Sequence, residues 1–182
     1  MLLQQAQCWN REQVITNFML HRRQLIPPLT LTDAHGCTIR AWDFKQKKNL
    51  VIAFLDFDCV LCEEFTYALI ECAAQIQERE AVVLLAFPRP PASSLTKSLP
   101  SEFIAGVDAA RQGAQAFLGE DGLPTQEGRK RGVFVTDRYG EIAAQWIFPG
   151  HEFPAIGEAL SALTAVEIAC EECSVPDWPV DE

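Results

Sequence analysis

The 182 residues carry 15 Lys and Arg against 25 Asp and Glu, a formal charge of −10. That balance argues against nucleic-acid binding, where phosphate contacts need clustered cations. With 48% hydrophobic and 22% charged residues the composition suits a folded domain, not a disordered chain. No apolar run approaches the roughly 20 residues of a membrane span, so neither nucleic acid nor a membrane is an expected partner.

The first stretch is Gln-rich, with no basic segment leading into an apolar one, and the expectation is a cytoplasmic protein. Leu2, Leu3, Ala6, Trp9, Val14, Phe18 and Met19 recur at helical spacing. They predict an amphipathic helix over 2–21 within an extension of residues 1–26. Its apolar face can pack on its own domain or on a second copy, as in a homodimer. After Pro27-Pro28, residues 29–31 and 38–42 read as a hairpin about the turn Asp33-Ala34-His35-Gly36.

Residues 50–57 form a nearly continuous apolar run, the pattern of a central strand buried on both faces, and lead straight into Asp58-Cys59-Val60-Leu61-Cys62. Helical spacing follows over 63–79, then a second buried strand over 81–87. This unit implies parallel strands joined by a right-handed crossover. Residues 88–101 are Pro- and Ser-rich and read as loop. Beyond them the pattern predicts a strand at 103–107, a helix at 109–118 and a loop at 119–130. Strands at 132–136 and 141–148 flank the turn Asp137-Arg138-Tyr139-Gly140. A helix over 154–170 precedes a tail over 171–182, and the C-terminal segment beyond the domain, residues 169–182, carries the second Cys-x-x-Cys.

Seven cysteines, an odd number, do not fit a fully paired secreted framework. Cys8, Cys37 and Cys72 stand alone and read as buried or inert thiols. Cys59/Cys62 and Cys170/Cys173 are Cys-x-x-Cys pairs, which in a reducing compartment signify redox chemistry or metal binding. The reactive species is a thiolate, favoured beside the partial positive charge of a helix N-terminus. Cys59, at the mouth of the helix, is the expected nucleophile. Cys62, one turn further in, would resolve the mixed disulfide. The alternative is half of a metal site. Asp56, Asp58, Glu63 and Glu64 crowd negative charge around Cys59 and oppose the helix dipole, unless some of them act as helix caps, for which Asp58 is well placed.

The order of strand, Cys-x-x-Cys, helix, strand, helix, hairpin and final helix resembles the thioredoxin fold. Residues 29–62 and Asp137-Arg138-Tyr139-Gly140-Glu141-Ile142 are similar to the alkyl hydroperoxide reductase/thiol-specific antioxidant family, the peroxiredoxin-like redoxins, over roughly residues 27–168. The resemblance implies an α/β three-layer sandwich with a mixed central sheet, a β-hairpin and an N-terminal helical extension. Arg131-Gly132-Val133-Phe134-Val135-Thr136-Asp137 resembles a peroxiredoxin run whose Arg helps hold peroxide and thiolate, which gives Arg131 that role by position. Its other reading is a surface arginine in a basic trio.

Departures from these families are specific. Thioredoxins carry an acid where this chain has Ala53, a Trp where it has Asp58, Gly-Pro where it has Val60-Leu61, and a cis-proline before the strand that starts at 132. The peroxiredoxin Pro-x-x-x-Thr-x-x-Cys motif is replaced by Ile52, Asp56 and Cys59, and a carboxylate is a poor substitute for a hydroxyl donor.

These readings imply a thiol–disulfide oxidoreductase acting on protein or small disulfides in redox homeostasis. A peroxiredoxin-like peroxidase, with Cys59 attacking a hydroperoxide and Arg131 assisting, is the alternative enzyme, and a metal- or cluster-binding module is the alternative of another class. No cofactor or resident metal is expected; the electron donor would be thioredoxin or of the thioredoxin reductase type. Asp58, Gly150 and His151 are expected on the substrate side. Gly150 would admit a substrate backbone and His151 would assist proton transfer, its other reading being a loop histidine before the last helix. A helix of residues 154–170 is roughly 25 Å long. Cys170 and Cys173 would then lie far from Cys59, as auxiliary thiols, a tail disulfide or free thiols.

Overall fold

The computed structural model describes residues 20–56, 59–91, 93–119, 131–148 and 153–168. The predicted helix over 2–21 lies almost entirely outside the described residues, as do Cys8, Asp58, Gly150, His151, Cys170 and Cys173.

Among the described residues seven strands form one mixed sheet: β1 (Thr30–Thr32), β2 (Thr38–Arg40), β3 (Asn49–Phe54), β4 (Ala81–Phe87), β5 (Phe103–Val107), β6 (Arg131–Thr136) and β7 (Ile142–Phe148), in the order β2-β1-β5-β4-β3-β6-β7. β3, β4 and β5 run parallel; β6 is antiparallel to β3, with Gly132 opposite Phe54, and β7 antiparallel to β6. Every residue of β3, β4 and β6 is buried, and β4 and β3 from Leu50 onward are accordingly apolar throughout.

Alternation along β3 divides the core. Val51, Ala53 and Leu55 face a layer built from α1 (Val60–Glu71), α2 (Ala73–Glu78) and α5 (Ile156–Glu167), which contributes Phe65, Leu69, Ile76 and Leu163. Leu50, Ile52 and Phe54 face the other layer, where α4 (Gln112–Leu118) packs beside Leu29 and Leu31. On that side Phe54, Phe117 and Phe134 form a ring cluster with centroids 5.0–6.1 Å apart.

Several predicted boundaries shift for identifiable reasons. The helix expected over 63–79 is two helices that begin earlier, at Val60. At Cys72 the backbone N–H bonds back to Leu69 O, a tightened turn that re-aims the chain so that Ile76 is buried. The helix expected from 109 starts at Gln112, because the Asp108 carboxylate accepts from Ala114 N at 2.7 Å and Arg111 takes a left-handed φ of 53°. Residues 41 and 42, expected as the end of a strand, instead open the 3-10 turn Ala41–Phe44, and the loop expected over 88–101 contains α3 (Ser93–Ser98). Both hairpin turns follow the expected chemistry: Asp33 Oδ1 accepts from His35 N and Cys37 N, and Asp137 Oδ1 from Tyr139 N and Glu141 N.

Residues 20–26 run beside the start of β7. Leu25 bridges Glu141, Arg23 N donates to Ile142 O, and Leu20 and Ile26 are buried in the α4-side core. Among the described residues no helix is long and apolar enough to cross a membrane.

Candidate active site

β3 is the element that delivers the cysteines. Its ladder with β4 continues one step past the strand, Leu55 N donating to Ala86 O at 2.9 Å, and the chain then turns into α1. Cys59 is the N-cap residue of α1, and its Sγ accepts from Cys62 N at 3.2 Å. The cap role for which Asp58 was the alternative candidate is therefore filled by the cysteine itself, whose sulfur takes one of the N–H groups that a helix start leaves unpaired. The same N–H is available to an anionic sulfur.

Cys62 sits one turn deeper, 2% exposed against 9% for Cys59. Its Sγ accepts from Asp56 N at 3.4 Å, and its carbonyl accepts from Thr66 Oγ1 at 2.7 Å. Burial pushes the Cys62 thiol from 9.0 up to about 12, and its hydrogen bond with Cys59 adds to the shift; the Asp56 N–H and the Arg131 charge pull more weakly the other way. The inner sulfur is thus held as a neutral thiol. Both cysteines are free thiols, as are Cys37 and Cys72.

Arg131 begins β6, where the antiparallel register sets Gly132 opposite Phe54 and so brings Arg131 to the end of the sheet at which β3 finishes. It is a buried residue, not a surface arginine. Its Nη2 lies 4.0 Å from Asp56 Oδ2, with the two side chains 9% and 16% exposed. The arginine expected to face Cys59 is thus paired with Asp56, and its charge is felt at Cys62. Gly132 beside it admits no side chain: a Cβ there would stand 2.5 Å from Leu118 Cδ2 and 3.0 Å from Phe134 Cε2.

The crowd of acids expected around Cys59 separates in space. Glu63 and Glu64 are exposed on α1, Asp58 lies outside the described residues, and Asp56 is half-buried against Arg131. Sequence reasoning missed that pairing, although Asp56 follows Phe54 by two and Arg131 precedes its partner Gly132 by one. It also missed a hollow at the ends of β3, β4 and β5, lined by Asp56, Phe87, Pro88, Asp108 and Arg111.

Two aromatic contacts brace the helix layer at this pole: Phe65 of α1 stacks on Phe153 at 4.6 Å, and Phe153 lies 6.3 Å from Phe148 at the end of β7. From there α5 runs to the opposite pole, where Glu167 Oε2 accepts from Asn49 Nδ2 at 3.1 Å at the start of β3. α5 therefore ends at the end of the sheet remote from Cys59. Among the described residues no three His, Cys, Asp or Glu side chains gather into a metal-holding group.

Solved structures share this fold. Mycobacterium tuberculosis AhpC superposes with a TM-score of 0.63 at 18% identity, covering 86% of this chain and 99% of that one. The same organism's peroxidoxin BcpB gives 0.65 at 18% identity, with 80% and 97% covered. A Chlorobium tepidum protein assigned as the thiol:disulfide interchange protein DsbE gives 0.60 at 19% identity, with 82% and 99% covered. The chain has the thioredoxin fold. It is the mixed-sheet form shared by peroxiredoxins and thioredoxin-like proteins, with a Cys-x-x-Cys pair where β3 meets α1. No protein-family model matches the sequence, and no curated protein matches it.

Proposed function

We propose that this protein is a thiol–disulfide oxidoreductase in which Cys59 attacks and Cys62 resolves. The observation that carries this reading is the asymmetry of the pair at the start of α1: the outer sulfur accepts a helix N–H while the inner thiol is buried and held protonated. A Cys59 thiolate attacks a substrate disulfide; one S–S bond forms, one breaks, and a thiolate departs. Cys62 then gives up its proton and attacks Cys59 Sγ, releasing the second substrate thiol. Two electrons have passed to the substrate, and Cys59–Cys62 is a disulfide. A dithiol donor of the thioredoxin or thioredoxin reductase type returns it to the dithiol.

In this reading residues 27–168 are the redox domain, 1–26 an extension that offers a homodimer face, and 169–182 a tail whose Cys170 and Cys173 serve as auxiliary thiols. Asp58, Gly150 and His151 line the substrate side, and a reducing cytoplasm keeps the pair poised. The burial of Arg131 near Cys62 favours a second reading, a thiol peroxidase in which its guanidinium supports the departing oxygen.

Differential alkylation with mass spectrometry tests the proposal. The parent should pass from dithiol to Cys59–Cys62 disulfide on meeting insulin or 2-hydroxyethyl disulfide, and Cys59→Ser should abolish turnover. Full turnover by Cys59→Ser would remove the proposal. Faster oxidation by hydrogen peroxide than by either disulfide would move the peroxidase reading ahead.

A further inference from the structure

We propose that Asp56 sets the substrate class of this site: by holding the Arg131 guanidinium in an ion pair, it turns the Cys59/Cys62 pair away from peroxides and towards disulfides. The inference rests on the oxidoreductase reading and deepens it. Arg131 Nη2 and Asp56 Oδ2 are 4.0 Å apart, and both side chains are largely withdrawn from solvent, where charges act on one another more strongly than in water. The backbone of Asp56 is also tied to the cysteine pair, its N–H donating to Cys62 Sγ.

The two candidate reactions make different demands on that charge. When a thiolate attacks a peroxide, an S–O bond forms and the O–O bond breaks. The sulfur is oxidised by two electrons, and a full negative charge develops on a small departing oxygen, which then takes a proton. Such an anion is stabilised by a nearby cationic donor. A carboxylate beside the guanidinium cancels much of that field and repels the oxygen anion directly. In thiol–disulfide exchange the charge is shared among three large sulfur atoms and ends on a thiolate, a stable anion that leaves without such a donor. Pairing Arg131 with Asp56 therefore penalises oxygen departure far more than sulfur departure. Arg111 lines the hollow that Asp56 also lines, so a test must separate the two cations.

Single-turnover rates of the fully reduced protein, measured by acid quench and thiol mapping, supply that test, with hydrogen peroxide and 2-hydroxyethyl disulfide as the two oxidants. Asp56→Asn should raise the ratio of the peroxide to the disulfide rate constant tenfold or more. Asp56→Glu, which keeps the charge, should return the ratio toward that of the parent, and Asp56→Asn with Arg131→Met should lose the gain. If Asp56→Asn does not fold, Asp56→Ser is measured in its place. A gain below tenfold, no return in Asp56→Glu, or a gain that survives loss of Arg131 overturns the inference. A parent that reacts with the disulfide while the ratio fails to move sinks only the role of Asp56. A parent inert to the disulfide sinks the oxidoreductase reading as well.

Discussion

Cys62 donates its backbone N–H to Cys59 Sγ at 3.2 Å, so the residue that would resolve a mixed disulfide also orients the sulfur that would form it. One turn of helix produces both effects. The Cys-x-x-Cys spacing puts the inner cysteine at the third helical position, whose N–H is free to reach the cap residue. Burial then leaves the inner thiol protonated, and the outer cysteine is the less deeply buried of the two.

The raised Cys62 thiol has a defined stability signature. An ordinary thiol ionises near 9.0, whereas Cys62 in the folded chain holds its proton up to about 12. Its contribution is thus fully present below pH 9 and is lost as pH climbs towards 12, because the unfolded chain sheds a proton that the folded one keeps. Between pH 8 and 10.5 the parent should lose roughly 1–2 kcal/mol more than Cys62→Ala loses. Urea midpoints at the two pH values measure this, and equal losses would refute it.

Site-resolved iodoacetamide labelling at pH 8 should modify Cys59 well before Cys62, since the buried neutral thiol is the poorer nucleophile. Prior labelling of Cys62 would reverse the assignment of roles.

Phe65→Ala should destabilise the fold by about 3–5 kcal/mol, the usual cost of deleting a buried ring, and loosen the stack with Phe153. Hydrogen exchange should then quicken at the N-terminal end of α5 more than at its C-terminal end, where Glu167 remains bonded to Asn49. Uniform quickening along α5 would show that the two anchors are not independent.

Asp108→Ala should cost about 1–2 kcal/mol by removing the acceptor for Ala114 N at the start of α4. Asp108→Asn should recover part of the loss through its amide oxygen. Thermal melts of the two variants distinguish this cap from a role in packing alone.

Gly106→Ala should destabilise by roughly 1–3 kcal/mol, because the added Cβ would lie 2.6 Å from Leu31 Cβ. A Cβ cannot turn aside as the end of a long side chain can, so β1 must move. Gly36→Ser meets no neighbour within 4 Å, though its φ of +81° makes it a probe of backbone strain rather than of packing. A melting temperature unchanged in Gly106→Ala would show that β1 yields freely.

Local patterns were enough to define most of the strands and the position of the cysteine pair. Nearly unbroken apolar runs marked β3 and β4 because strands covered on both faces need apolar side chains at almost every position. The turns at Asp33 and Asp137 were legible because an Asp side chain bonds backbone N–H groups within a few residues of itself. The Cys-x-x-Cys spacing placed both sulfurs within one helical turn. What depended on distant segments was not legible. The tightened turn at Cys72 comes with the burial of Ile76, and the late start of α4 comes from the Asp108 cap. Whether Asp56 would crowd Cys59 or meet Arg131 depended on how β6 registers against β3, two strands whose paired residues lie about eighty positions apart in the chain. A carboxylate looks the same in sequence whether it faces a thiol, water or a guanidinium. Its effect on chemistry follows from the nearest opposite charge and the solvent between them, and only the folded sheet supplies both.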